Sequence, residues 1–246
     1  MNISVCILTK NCEAKIKRCL ELLNEFDDVV ILDTGSADRT LDIIAAFPNV
    51  RVFQQNGISN FGETRNFLTS KAKHDWVLHV DSDEYVTGKF LNALHRLTLK
   101  EDTVYSILLR LVYRNQALLP FDTYSRRLYN KTKTSWSNRA VHESIIIPDG
   151  FSQQKIKQPL AHYSFDSLEQ MFQKSLWYSS LFAEQFREKK RCSGFGPVWH
   201  GSIMFLKFYI LKRAFLYGYN GFIVSFRQGV ETVLKYAKLY EKSREQ

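Results

Sequence analysis

The chain has 246 residues, enough to bury a sizeable core as one domain with an extension. Its 45% hydrophobic and 24% charged content is ordinary for a globular protein, and no apolar run reaches the ~20 residues of a membrane-crossing helix. The net charge of +9 is uneven: residues 187–246 carry twelve Lys/Arg against four Asp/Glu, which suits an anionic partner at that end.

Cys6, Cys12, Cys19 and Cys192 form no C-x-x-C pair, so they imply free thiols in a reducing compartment and exclude a disulfide frame or zinc site. The N-terminus enters a strand at once, with neither a basic n-region nor an apolar h-region, so no signal peptide is expected.

Residues 3–8 are a short apolar run that predicts a buried strand. Ile16, Cys19, Leu20 and Leu23 then recur at helical spacing over 14–23. Val29 to Leu32 predicts a second strand, closed by Asp33-Thr34-Gly35-Ser36, and Asp38 can cap a helix over 39–47. Residues 50–53 predict a third strand, and Asn56-Gly57 a loop. A helix over 61–73 and a strand from Trp76 to Val80 complete a β-α-β-α-β-α-β alternation. That rhythm predicts a parallel sheet with helices on both faces.

After Glu84 the rhythm changes. A helix is expected over 90–97, strands over 104–113, 126–129 and 145–147, and hence a mixed second half of the sheet. Ser167 can start a long helix reaching about Lys190. Cys192 to Pro197 is the clearest break, followed by an aromatic and basic segment and a closing helix over 228–240. The expected organisation is one domain over 1–192, in two halves (1–93 and 94–192), and a basic, aromatic, helical extension over 193–246.

The chemistry gathers at strand ends. Asp81, Asp83 and Glu84 crowd three acids into four residues directly after a strand. Alone this could be a solvated turn; a divalent cation between the carboxylates is the alternative, with Mg²⁺ or Mn²⁺ favoured by hard oxygen donors. A parallel sheet brings Thr9-Asn11, Asp33 and Asp81-Asp83 to one edge, with Arg65 on the helix before the fourth strand. A carboxylate there can accept from a ribose hydroxyl or base N–H, and a guanidinium can pair with phosphate. No G-x-G-x-x-G and no G-x-x-x-x-G-K-[ST] occurs, which disfavours dinucleotide and P-loop sites.

Thr9-Lys10-Asn11-Cys12-Glu13, Asp33 to Thr40, Arg65-Asn66 and Trp76 to Glu84 occur in that order. This set resembles the family 2 inverting glycosyltransferases of GT-A fold, and within them the β-1,4-glucosyltransferases of the lipopolysaccharide inner core. The resemblance is strong over 1–93, moderate through Arg126-Arg127-Leu128-Tyr129 and Val141-His142-Glu143, and weak beyond Gly196. It implies a Rossmann-like mixed sheet and a UDP-sugar donor. Thr9, Asn11, Glu13, Asp33, Arg65, Asp81 and Ser82 would line the nucleotide-sugar, with Asp33 at the uracil or ribose. Asp83 and Asp81 would hold Mg²⁺ or Mn²⁺ on the diphosphate, with His162 a further candidate ligand, although a lone His is more often structural.

Inversion needs one general base for the acceptor hydroxyl. Many relatives supply it from an acidic pair that this chain lacks; Glu143 is the candidate here, set against a merely exposed acid. His142 can orient Glu143, bind the metal or cap local structure. Cys12 stands where relatives commonly have an acid, but Glu13 adjoins it. The Q-x-x-R-W motif of processive synthases is absent, which favours single sugar addition.

The basic, aromatic tail suits an anionic membrane surface and a phosphorylated lipid A–core acceptor. Nucleic acid is disfavoured, because no binding motif is present and the candidate metal edge is acidic. The expected protein is a cytoplasmic hexosyltransferase, peripheral at the inner face of the membrane. The alternatives are transfer to a peptide or another glycolipid, and a non-catalytic sugar-nucleotide or membrane-binding module.

Overall fold

A computed structural model describes residues 1–57, 60–138, 143–188 and 192–244. Residue contacts divide the chain into two units, Met1–Arg110 with Thr123–His162, and Leu111–Asp122 with Tyr163–Gln246.

The first unit begins with β1 (Ile3–Thr9), α1 (Glu13–Glu21), β2 (Val29–Asp33), α2 (Thr40–Ile44), β3 (Val50–Gln54), α3 (Phe61–Ser70) and β4 (Trp76–His79). Every residue of β2 is buried, as a strand in the middle of a parallel sheet requires. Asn60 caps α3 by accepting the Gly62 and Glu63 amides. Asp38 accepts the Thr40 amide at the start of α2. Next come β5 (Glu84–Tyr85), α4 (Gly88–His95) and β6 (Thr103–Tyr113), which runs from the first unit into the second. The short β7 (Gln116–Ala117) follows, then β8 (Thr123–Asn130) and β9 (Ser152–His162).

The sheet order is β3-β2-β1-β4-β8-β6-β9-β5, with β7 paired to β6. β1 pairs parallel with β2 and β4, and β2 with β3. β8 pairs antiparallel with β4 and β6, and β5 with β9. The expected change from parallel to mixed sheet is therefore present. Asp28 braces the base of the parallel half. Its buried carboxylate accepts from Ser4 Oγ, from Arg51 Nε and Nη2 at 3.0 and 2.7 Å, and from the Lys73 amide at 2.7 Å.

Two expectations fail here. Residues 145–147 form no strand: Ile145 makes one isolated bridge with Trp136 and packs in the core, and Pro148 then removes a backbone donor. Conversely, β9 is eleven residues long where no strand was expected. Its sequence is polar, only Ile156 and Leu160 are fully buried, and it carries Pro159, so its apolar pattern is too sparse to show.

The second unit holds α5 (Leu168–Phe186), α6 (Gly196–Leu206) and α7 (Gly218–Lys242). Ser167 caps α5 through the Gln170 amide, as its sequence position suggested. A π-helical turn (Lys207–Leu211) and a 3₁₀ turn (Ala214–Tyr217) join α6 to α7. The core collects Leu111, Tyr113, Phe121, Met171, Ala214 and Val224. α5 and α7 pack together within this unit. α7 starts ten residues before the expected position because its glycines serve packing. A Cβ on Gly221 would lie 1.8 Å from the Ala214 carbonyl oxygen, and one on Gly201 of α6 would lie 2.9 Å from that of Gly229. Among the described residues, no helix is long and apolar enough to cross a membrane.

Candidate active site

The C-terminal ends of β1, β2 and β4 lie side by side, in register Thr9↔Asp33 and Cys6↔His79. Two loops there are sewn together. Asn11, in the left-handed region at φ 49°, donates its amide to Ser36 Oγ and accepts the Ala37 amide at 2.8 Å. Glu13 donates its amide to Asp38 and accepts the Arg39 amide at 3.0 Å. In this structure both side chains brace loop against loop.

Asp33 is buried and fully engaged. One oxygen accepts the Gly35 and Ser36 amides at 3.1 and 2.9 Å; the other accepts the Ser36 and Thr9 hydroxyls. Burial opposes its ionisation, but these bonds, led by those from Ser36, hold the carboxyl below the usual carboxylate range. Burial pushes the nearby Cys12 thiol up, against hydrogen bonds with Thr40 and Ser82.

Beyond β4 the acids and arginines alternate. Arg65 donates from Nε to Glu143 at 3.1 Å and from Nη2 to Asp81 at 3.0 Å. Arg127 donates from Nη2 to Asp81 at 2.6 Å and to Glu84 at 2.8 Å. The chain of charges thus runs Glu143–Arg65–Asp81–Arg127–Glu84. Glu84 is 0% exposed, and its second oxygen takes the Asp81 amide at 3.0 Å. Burial resists ionisation of Asp81, yet Arg127 and Arg65 outweigh it and hold the carboxyl far below the usual range. Burial pushes Glu84 upward, only partly offset by Arg127.

Asp83 belongs to a different group. Its Oδ1 lies 3.6 Å from Nε2 of His162, because the β5–β9 register sets His162 opposite Glu84. Burial works against a charged His162, but Asp83, then Glu84 and Asp81, raise its pKa above the ordinary imidazole value.

The sequence-predicted residues therefore sort by contact. Asp81, Arg65 and Glu143 form one network, and Asp83 and His162 another. His142 lies outside the described residues. Arg65 is buried, and its guanidinium holds two acids.

Arg127 is the residue that sequence reasoning passed over. Its signal was an arginine beside the buried Leu128 and Tyr129 in a strand that pairs with β4 through Leu78↔Leu128. Trp136 was missed as well; its indole lies 4.8 Å from the Arg65 guanidinium carbon. Asn66 clamps the Trp136 backbone in both directions, at 3.0 and 2.9 Å. The Arg65-Asn66 pair thus positions both the guanidinium and its aromatic backing.

Among the described residues, no group of three or more His, Cys, Asp or Glu converges as a metal cage. Beside Asp81, which two guanidiniums hold, Asp83 and His162 present one carboxylate and one imidazole 3.6 Å apart. That set fits an ion that completes its shell with substrate phosphates and water, as Mg²⁺ and Mn²⁺ do.

The model of glycosyl transferase family 2 matches residues 4–168, which include every element of this site. The chain belongs to that family. An uncharacterized glycosyltransferase of Rickettsia typhi is 30% identical, covering 98% of this chain and 87% of that protein. The lipopolysaccharide core biosynthesis glycosyltransferase LpsC of Rhizobium meliloti is 24% identical, covering 98% of this chain and 92% of that one. Among solved structures, the mannosyltransferase PcManGT of Pyrobaculum calidifontis, in complex with GDP-Man and Mn²⁺, superposes with a TM-score of 0.57 at 12% identity. That alignment covers 97% of this chain and 86% of that one. The chain is a glycosyltransferase, and the sheet of this family 2 enzyme has the GT-A architecture.

Proposed function

We propose that this glycosyltransferase moves glucose from UDP-glucose to the lipopolysaccharide inner core with inversion, at the inner face of the cytoplasmic membrane. The single observation that carries the donor side is the Asp83–His162 pair beside an Asp81 held between two guanidiniums. The similarity to LpsC supports the acceptor class.

Residues 1–93 bind the nucleotide-sugar and 94–192 the acceptor. Thr9, Asn11, Glu13 and Ser82 shape the nucleotide crevice, and Asp33 reads the ribose or uracil. Asp83 and His162 would hold Mg²⁺ or Mn²⁺, which would supply positive charge to the departing diphosphate. Asp81, kept ionised and oriented by Arg65 and Arg127, faces the nucleotide. Glu143 accepts the proton of the acceptor hydroxyl while that oxygen bonds to the anomeric carbon. The bond from that carbon to the diphosphate oxygen breaks, and UDP leaves with the electron pair. One in-line displacement inverts the anomeric centre.

A screen of UDP-glucose, other UDP-hexoses and GDP-mannose with lipid A–core tests this, reading nucleoside diphosphate release with and without Mn²⁺. UDP-glucose turnover that needs the metal and falls at least ~100-fold in Asp83→Ala is expected. Turnover only with a peptide or another glycolipid would move the acceptor. No metal-dependent turnover with any donor, and donor binding unchanged in Asp83→Ala, would leave a non-catalytic module.

A further inference from the structure

The connection from α6 to α7 presents apolar side chains to solvent. Phe195, Trp199, Ile203, Leu206 and Ile210 follow one another at steps of four, four, three and four, which places them along one side of a helix. Their exposures run from 45% to 89%. The opposite side is committed to the fold, since Pro197 and Gly201 are buried and Gly201 closes against Gly229 of α7. In the turn that follows, Leu211, Phe215 and Leu216 are exposed too. A contiguous apolar surface on a folded unit marks an interaction site.

Charge selects the partner. Between Glu188 and Glu231 the sequence has no acidic residue and seven Lys/Arg. Lys207 lies within the stripe, and Lys212 and Arg213 follow it; all three are exposed. A protein partner for such a surface has no cation-free apolar face to meet, whereas an anionic bilayer offers hydrocarbon under a layer of phosphates. Length selects the mode. Residues 196–211 carry one charge and extend about 24 Å at the α-helical rise, short of the ~30 Å hydrocarbon core. The segment therefore suits a position in the plane of the interface, where Trp and Tyr are favoured and Lys reaches the headgroups.

We infer that the segment from Phe195 to Leu216 is an interfacial membrane anchor. It seats the second unit on an anionic phospholipid surface, with the Phe195–Ile210 stripe in the acyl boundary and Lys207, Lys212 and Arg213 on the phosphates. This deepens the proposed membrane location and rests on it, but binding is measurable without substrate.

The test is flotation of the full chain with vesicles of phosphatidylcholine alone or mixed with phosphatidylglycerol. The wild type floats with the mixed vesicles, and added salt weakens the association. Trp199→Ser/Ile203→Ser/Leu206→Ser lowers partitioning by at least ~100-fold, since each large apolar side chain is worth roughly tenfold or more. Lys212→Gln/Arg213→Gln lowers it by about 25-fold at low salt, from about fivefold per cation. Both variants keep the wild-type circular dichroism and the acceptor-free, metal-dependent release of UDP from UDP-glucose. A wild type that does not float with mixed vesicles, or a triple variant that floats equally well, overturns the assignment. A wild-type dimer that the triple variant dissociates, with no flotation of either, overturns it by giving the stripe to a second copy. Flotation without UDP-glucose turnover leaves the anchor standing and removes the UDP-glucose proposal instead.

Discussion

Replacing Arg127 with Met isolates the pairing that organises the acids. The guanidinium is buried, and one nitrogen serves both Asp81 and Glu84. Met fills a similar volume with no charge. Glu84 then keeps only the Asp81 amide, in a site with no exposed surface. Removing one partner of a buried ion pair costs about 3–5 kcal/mol. At roughly 2–4 °C per kcal/mol for a chain of this size, Tm falls by about 6–20 °C. Burial raises the Glu84 carboxyl against the pull of Arg127, so the loss is smallest at low pH and grows as pH rises. Glu84→Gln removes the stranded charge. The double variant Arg127→Met/Glu84→Gln is therefore more stable than the sum of the single losses implies, by about 1–3 kcal/mol. Thermal unfolding of the four proteins at two pH values gives every quantity. A single-variant loss under 1 kcal/mol, or strict additivity in the cycle, would refute the claim that Arg127 is the counterion of Glu84.

Three further outcomes are expected. Glu143→Gln keeps a hydrogen bond to Arg65 and so keeps UDP affinity, but lowers kcat by roughly 10²–10⁴-fold; pre-steady-state transfer with a retained UDP Kd checks this, and unchanged kcat removes Glu143 as base. Asp28 sits below its ordinary 3.8, because bonds from Ser4, the Lys73 amide and Arg51 outweigh its burial. Its stabilising contribution is full above 3.8 and disappears as pH falls through the lower folded value, so Asp28→Asn flattens the acid limb of the stability curve; an unchanged limb refutes it. Gly221→Ala drives a methyl into the Ala214 carbonyl and destabilises the second unit by roughly 2 kcal/mol or more, read as enhanced proteolysis of α7.

The parallel half was legible because its strands are apolar runs and its helices have clear spacing and caps. Val29 to Leu32 and the Ser167 cap were found in place. β9 was not legible, because its stability comes from pairing with β6 and β5 and little of it from burial. At the candidate site, acids at strand ends were visible as motifs. What each one touches was not. That Arg65 also meets Glu143, 78 positions away, could not be read from its motif. Arg127 acquires its role only from antiparallel pairing with β4, and Asp83 meets His162 only through a two-residue strand, β5. Long-range register of that kind leaves no trace in local spacing.

For the proposed role of Asp33 at the ribose or uracil, its brace bears on discrimination between nucleotides. A carboxylate offers about four acceptor sites, and Gly35, Ser36 and Thr9 fill them. Any incoming N–H or O–H must evict a resident hydroxyl, most readily that of Ser36, which can swivel where the two amides cannot. The swap replaces one hydrogen bond with another, so it adds little to tightness. A base that displaces the hydroxyl and brings no donor of its own strands a buried charge and is rejected. In the proposed role, Asp33 would veto wrong guests while leaving correct ones free to depart.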